Sequence, residues 1–108
     1  GIFSFTPQAM ATTAILIKMN RVLVLITLSD KSIETIKSNP ELPKKESEFV
    51  MRWKEENFLE SFYISVSKKD AVLIFKDIDQ PTTKELIETL PYFPYMAKIE
   101  YHNLNKQF

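Results

Sequence analysis

Three residue types that build many functional sites are absent or nearly absent from this 108-residue sequence. It has no Cys, which excludes a disulfide framework, a thiolate nucleophile and a zinc–thiolate site. Its one His cannot form a multi-histidine metal site. Its one Gly, at position 1, excludes the glycine-rich loops that cradle phosphates in P-loop and Rossmann folds. We therefore expect no metal and no cofactor, which leaves metal-free acid–base chemistry or binding without chemistry.

Charge and hydropathy argue against two further classes of partner. The 14 basic and 14 acidic residues balance, so the sequence lacks the positive excess with which proteins hold nucleic-acid phosphates. Lys18, Asn20 and Arg21 interrupt the apolar segment 10–28, which leaves no run of the length (~18 residues) that spans a membrane. The basic start of a signal peptide is also missing. We predict no nucleic-acid or membrane partner and a cytoplasmic location.

The hydrophobic pattern predicts an α+β protein. From residue 21 onward, four segments have the composition of strands, and these are residues 21–28, 59–67, 71–76 and 96–102. Helices are predicted over residues 43–57 and 81–90, with a short helix after the capping signal at Ser29. Thr82 and Glu85 have the spacing of a capping box. From residue 21 onward the order is β-α-β-β-α-β, which predicts a ferredoxin-like fold with an antiparallel sheet.

The two central strands of this topology have no polar face. Residues 21–28 and 71–76 are nearly continuous apolar runs, which indicates burial on both sides of the sheet. Because the helices cover one side, we expect a second copy of the chain to cover the other. This gives a dimeric α+β barrel, present as a homodimer or as a ring of dimers. The alternative is that residues 1–18, of which 12–18 have strand-like composition, fold back over the sheet.

Residues 90–96, Leu-Pro-Tyr-Phe-Pro-Tyr-Met, combine two prolines with three aromatic side chains. Each proline disfavours helical geometry at the residue before it, so Leu90 and Phe93 are expected to be extended in a stiff connector. This segment is similar to the Leu-Pro-Leu-Phe-Pro-Tyr-Met segment that muconolactone isomerases carry just before their last strand. Glu46 also falls where that family has a Glu at the start of its long helix. The resemblance covers residues 19–108 and leaves residues 1–18 as an N-terminal extension.

The resemblance implies a cofactor-free isomerase that shifts a proton next to the lactone carbonyl of a small carboxylated or aromatic-derived compound. This reaction needs a base near the carbon acid and a donor near the oxygen where enolate charge develops. The preferred catalytic candidates are Tyr63, Glu46 and His102, and the further candidates are Glu60, Glu100, Tyr95 and Lys98. The ligand pocket is expected to be lined by Ser61, Ser65, Tyr92, Phe93 and Tyr95.

Each of these candidates also has a purely structural interpretation. Ser61, Tyr63 and Ser65 would then line the seam between two copies, while Glu46 would complement the dipole at the start of its helix. The basic segment that begins the second strand of the family is replaced here by residues 59–63. This difference favours a first alternative function, a dimeric barrel that binds a ligand or partner without turnover. A second alternative is a cofactor-free monooxygenase-like member of the wider barrel superfamily.

Overall fold

The computed structural model describes residues 20–108, which form four strands and three α-helices. The predicted N-terminal extension, including the strand-like residues 12–18, lies outside the described residues. In chain order the elements are β1 (Asn20–Leu28), α1 (Asp30–Lys37), α2 (Glu41–Glu55), β2 (Leu59–Ile64), β3 (Asp70–Lys76), α3 (Gln80–Glu88), a short 3-10 helix (Phe93–Tyr95) and β4 (Met96–Asn105).

The four strands form one antiparallel sheet in the order β2-β3-β1-β4. This confirms the predicted α+β class and the predicted central position of β1 and β3. The order is compatible with a ferredoxin-like fold. A β-bulge interrupts the pairing of β2 with β3 between Leu59 and Ser61.

The core lies between the helices and one face of the sheet, which we call the first face. Alternate residues of β1 are buried there, as the two-residue period of a strand requires. From α2, the Trp53 ring meets Phe75 of β3 edge to face, with 5.6 Å between the ring centroids. The other members of the buried cluster are Val22, Val24, Ile26, Val50, Leu59, Leu73, Ile87 and Leu90.

The opposite side of the sheet, which we call the second face, carries the remaining residues of the central strands. Leu23 pairs with Ile74, and Leu25 pairs with Val72. All four are only half-buried. The buried residues of α2 and α3 belong to the cluster on the first face. The two faces of the central strands are therefore both apolar but unequally covered by the described residues.

The helix caps agree with the sequence at one helix and differ from it at another. The Ser29 hydroxyl caps α1 by accepting from the Ser32 N–H, as the capping signal predicts. The predicted capping box of Thr82 and Glu85 is wrong, because Thr82 already lies inside α3. Its backbone N–H donates to Asp79 Oδ1 over 2.8 Å, so Asp79 is the N-cap.

Two local predictions of extended backbone are also wrong. The strand predicted to reach residue 67 ends at Ile64, because a turn begins in which the Lys68 N–H donates to the Ser65 carbonyl and Lys68 adopts a positive φ of 64°. Phe93 begins the 3-10 helix, and its N–H donates to the Leu90 carbonyl over 2.9 Å. Pro94 fits this first turn, where its missing N–H leaves no hydrogen bond unmade.

Candidate functional site

A cavity of about 730 Å³ opens between the first face of the sheet and the helices. Its volume lies within the range of small-molecule sites, roughly 300–1,000 Å³. The lining comes from β1, β2, β3, α1, α2, the β2–β3 turn, the segment after α3 and the first residue of β4. Most of it is apolar, including Ile26, Ile33, Ile36, Val50, Leu73 and Met96.

Glu46 is the carboxylic acid that α2 brings to this cavity. It lies four residues before Val50 and seven before Trp53, and this spacing places the three side chains on the inward side of the helix. Its Oε1 accepts a hydrogen bond from the Tyr92 backbone N–H over 3.0 Å. No hydrogen bond within residues 20–108 engages its other oxygen, Oε2. One oxygen is therefore held by the connector, and the other is available to a ligand.

The surroundings of Glu46 favour its protonated form. Burial raises the pKa of the Glu46 carboxyl to about 7, although the hydrogen bond from the Tyr92 N–H acts in the opposite direction. Burial and the nearby Glu46 carboxylate also raise the pKa of the Tyr92 hydroxyl. Near neutral pH, Glu46 is thus divided between an acid that can donate a proton and a base that can accept one.

Three lysines also line the cavity, and they differ in what they contact. The Lys69 ammonium forms an ion pair with Asp30 over 2.8 Å. Lys37 and Lys68 form no ion pair or side-chain hydrogen bond with any residue in the described part of the chain. Asp70 also lines the cavity, and its Oδ1 accepts a hydrogen bond from the Thr27 hydroxyl over 3.0 Å. Lys37 and Lys68 can therefore meet an anionic group of a ligand.

The structure brings three of the predicted site residues to the cavity, namely Glu46, Tyr92 and Ser65. Ser65 lies in the turn after β2, where its hydroxyl accepts from the Asp70 N–H over 3.0 Å. Phe93 and Tyr95 follow in the 3-10 helix and are not part of the lining.

The other predicted residues lie on the second face of the sheet. Tyr63 pairs with Val72, Ser61 with Ile74, and His102 with Leu23. Leu23, Val72 and Ile74 are the residues of the central strands that point away from the helices. The sheet therefore separates Tyr63, Ser61 and His102 from Glu46.

Two further base candidates, Glu60 and Glu100, form ion pairs with basic side chains. Arg21 contacts both carboxylate oxygens of Glu60 at 3.0 Å, and Lys106 lies 3.9 Å from one of them. The hydrogen bond from Arg21 lowers the pKa of Glu60 and stabilises its charged form. Glu100 lies 3.5 Å from the Lys98 ammonium.

Lys37 and Lys68 were not among the predicted site residues. The sequence shows Lys68 only as half of a lysine pair with Lys69, and it shows Lys37 only as a basic residue near the end of a short helix. Their meeting at one cavity depends on how α1 packs beside the β2–β3 turn, which spacing along the chain does not reveal.

No family model matches the sequence, and no curated protein matches it either. Within residues 20–108, no helix is long and apolar enough to cross a membrane. The same residues contain no group of three or more His, Cys, Asp or Glu side chains that could hold a metal ion.

The raised pKa of Glu46 predicts a specific pH dependence of stability. Because the folded state holds this proton more tightly than the unfolded chain, Glu46 makes the free energy of unfolding fall as pH rises from about 4.5 to about 7. Above that range the fall is complete, on the order of 3 kcal/mol. Glu46→Gln keeps an acceptor for the Tyr92 N–H but has no proton to lose. The free energy of unfolding of this variant should equal that of the wild type at pH 4 and exceed it at pH 8.

Urea unfolding measured from pH 4 to pH 8 checks this expectation. Glu48→Gln is the matched control, because Glu48 is exposed on the same helix and should retain the wild-type profile. If the difference in free energy of unfolding between Glu46→Gln and the wild type stayed constant across this pH range, Glu46 would have an ordinary pKa.

Proposed function

We propose that the protein is a cofactor-free isomerase of the muconolactone-isomerase-like kind. It shifts a proton next to the lactone carbonyl of a small carboxylated compound, and Glu46 accepts and returns that proton. The observation that carries the proposal is a carboxyl group with a pKa of about 7 inside a largely apolar cavity. A base acts best when its pKa lies near the working pH, and burial is the means by which proteins raise the pKa of a carboxyl group to that range.

The hydrogen bond from the Tyr92 N–H supports this role in two ways. It fixes Oε1 and so limits the orientations of the carboxylate. It also leaves Oε2, which is free of hydrogen bonds in the described part of the chain, to face the carbon acid. A proton taken from one carbon of the bound lactone can be returned to another, which moves the double bond without a redox step.

Lys37 and Lys68 support the assignment of a carboxylated substrate. Lys69 is already paired with Asp30, whereas Lys37 and Lys68 form no ion pair in the described part of the chain. Both lysines can therefore meet a substrate carboxylate while Glu46 is in the charged form that accepts a proton. An ammonium group can bind the substrate carboxylate or stabilise the enolate oxygen as its charge develops.

The dimeric α+β barrel remains part of the proposal. Its support is the second face of the sheet, where Leu23, Leu25, Val72 and Ile74 form two adjoining apolar cross-strand pairs. In a barrel these residues would pack against the same residues of a second copy. Such an interface is isologous, because the same patch is used on both sides of a twofold axis.

A ligand-binding protein without turnover is the second candidate. It is favoured by one observation, which is that the predicted donor Tyr63 lies on the face of the sheet opposite Glu46. In this case the cavity would bind the same small carboxylated compounds, but Glu46 would change only the pH dependence of binding.

An NMR time course with muconolactone in deuterated buffer separates the two candidates. We expect proton exchange or migration of the double bond above the buffer rate, with a loss of about 100-fold or more in Glu46→Gln. Glu48→Gln should retain the wild-type rate. Ligand line broadening without exchange would support the binding protein. The absence of both would contradict both candidates for this ligand class.

Removing the unpaired lysines should weaken binding of the anionic form of the ligand. We expect Lys37→Met combined with Lys68→Met to raise the dissociation constant of muconolactone about 10-fold, because a charge-assisted contact is lost. The methyl ester of the lactone, which lacks the carboxylate charge, should bind both proteins equally. Lys44→Met, at an exposed site on α2 outside the lining, is the control. An equal loss for acid and ester would assign the two lysines a structural role.

Light scattering tests the barrel. We expect a dimer at micromolar concentration for the wild type and a monomer for Leu25→Lys, which places a charge in the centre of the second face. Thr89→Lys, at an exposed position after α3, should leave the dimer unchanged. A monodisperse wild-type monomer would contradict the barrel.

A further inference from the structure

The segment 61–67, Ser-Phe-Tyr-Ile-Ser-Val-Ser, is uncharged, has no proline and contains most of the edge strand β2. Its large side chains are unusually exposed, with exposed fractions of 43% for Phe62, 63% for Tyr63, 60% for Ile64 and 102% for Val66. Proteins commonly protect edge strands with charges, prolines or a covering element, because an unprotected edge pairs with other strands. No charged residue or proline in this segment provides that protection.

The backbone of β2 can accept another strand at two positions. The Ser65 N–H donates to the Asp70 carbonyl over 2.9 Å, so this pair is hydrogen-bonded. In antiparallel sheets hydrogen-bonded and non-hydrogen-bonded pairs alternate. The Tyr63–Val72 pair is therefore hydrogen-bonded, whereas the N–H and C=O groups of Phe62 and Ile64 point away from β3, toward the edge that no other strand of residues 20–108 occupies.

We infer that β2 pairs antiparallel with β2 of a second copy, around a twofold axis that passes beside Tyr63. In this register Phe62 faces Ile64 of the second copy, and each of the two such pairs exchanges two backbone hydrogen bonds. The two Tyr63 residues face each other as a non-hydrogen-bonded pair, the arrangement in which opposite side chains are closest.

The side chains suit this register. Phe62 against Ile64 is an aromatic–β-branched pair, and Tyr63 against its own copy is an aromatic pair, and both kinds stabilise neighbouring strands. Because segment 61–67 is uncharged, self-pairing places no like charges opposite each other within it. These features make the edge self-complementary, which a twofold interface requires.

The area available sets the expected strength of the contact. The exposed parts of Phe62, Tyr63, Ile64 and Val66 amount to roughly 400–500 Å² per copy. Because pairing along the edge covers only part of each side chain, two copies would bury less than about 1,000 Å², which is below the usual size of a specific interface. We expect a weak contact, which forms where the β2 edge has not been paired by closure of a barrel.

This contact also bears on the cavity beside Glu46. Phe62, Ile64 and Val66 line the cavity of about 730 Å³ while remaining largely exposed to solvent. Pairing would place Ile64 of the second copy against Phe62 and extend the apolar wall. The cavity is then less open to water on its β2 side.

Cysteine crosslinking tests the register. Because the sequence contains no Cys, an introduced Cys is the only thiol that can form a disulfide. Under mild oxidation we expect Tyr63→Cys to form a covalent dimer, because this position faces its own copy. Val66→Cys is at least as exposed but faces a different residue, so it should react with thiol reagents without forming the dimer. The crosslink should persist when Leu25→Lys is added, since that change disrupts only the barrel interface.

A second variant separates edge pairing from chance collision. Ile64→Pro removes an N–H that points to the free edge and not to β3, so the fold should be retained. It should reduce the yield of the Tyr63→Cys dimer at least fivefold, whereas Ile64→Thr, which keeps the N–H, should retain most of it. Equal crosslinking of Tyr63→Cys and Val66→Cys, or full crosslinking with Ile64→Pro present, would overturn the proposal. The proposal would also be overturned if Tyr63→Cys formed no covalent dimer, as expected if another segment covers this edge.

Discussion

The candidate site depends on one contact, the hydrogen bond from the Tyr92 N–H to the Glu46 carboxylate. It joins the second turn of α2 to the connector before β4, which are 46 residues apart in sequence. Without a donor, a carboxylate beside Val50 and Leu90 would be costly to keep charged. With this donor the charged form is accessible but still disfavoured by burial, and the pKa of Glu46 is raised to about 7. The same contact places the carboxyl group at the cavity wall.

The sheet divides the molecule into regions with different roles. Its first face carries the core and the cavity, so the chemistry proposed for Glu46 belongs to this side. Its second face carries apolar pairs such as Leu25–Val72, and its β2 edge carries exposed Tyr63. We interpret the second face and the edge as surfaces for self-association. In this interpretation catalysis and assembly use largely separate groups of residues, and they meet at Phe62, Ile64 and Val66, which both line the cavity and border the edge.

The sequence predicts elements better than contacts. Alternation and apolar runs are local, so the strands, the order of elements and the Ser29 cap could be predicted from them. Phe93 is an exception, since a 3-10 turn accommodates Pro94 where the proline rule favours extended backbone. The resemblance to muconolactone isomerases indicated Glu46 as a site candidate. Its raised pKa depends on packing between distant segments, which the sequence does not show. The separation of Tyr63 from Glu46 depends on which side of the sheet the helices cover, and strand period alone does not decide that.

The most direct test of the account is an NMR titration of the Glu46 carboxyl carbon, with the resonance assigned by its loss in Glu46→Gln. We predict a midpoint near pH 7 and a further change in that midpoint when a carboxylated lactone is bound. A midpoint near the ordinary value of 4.5 would contradict the account, because Glu46 would then be a simple solvated carboxylate at the start of a helix.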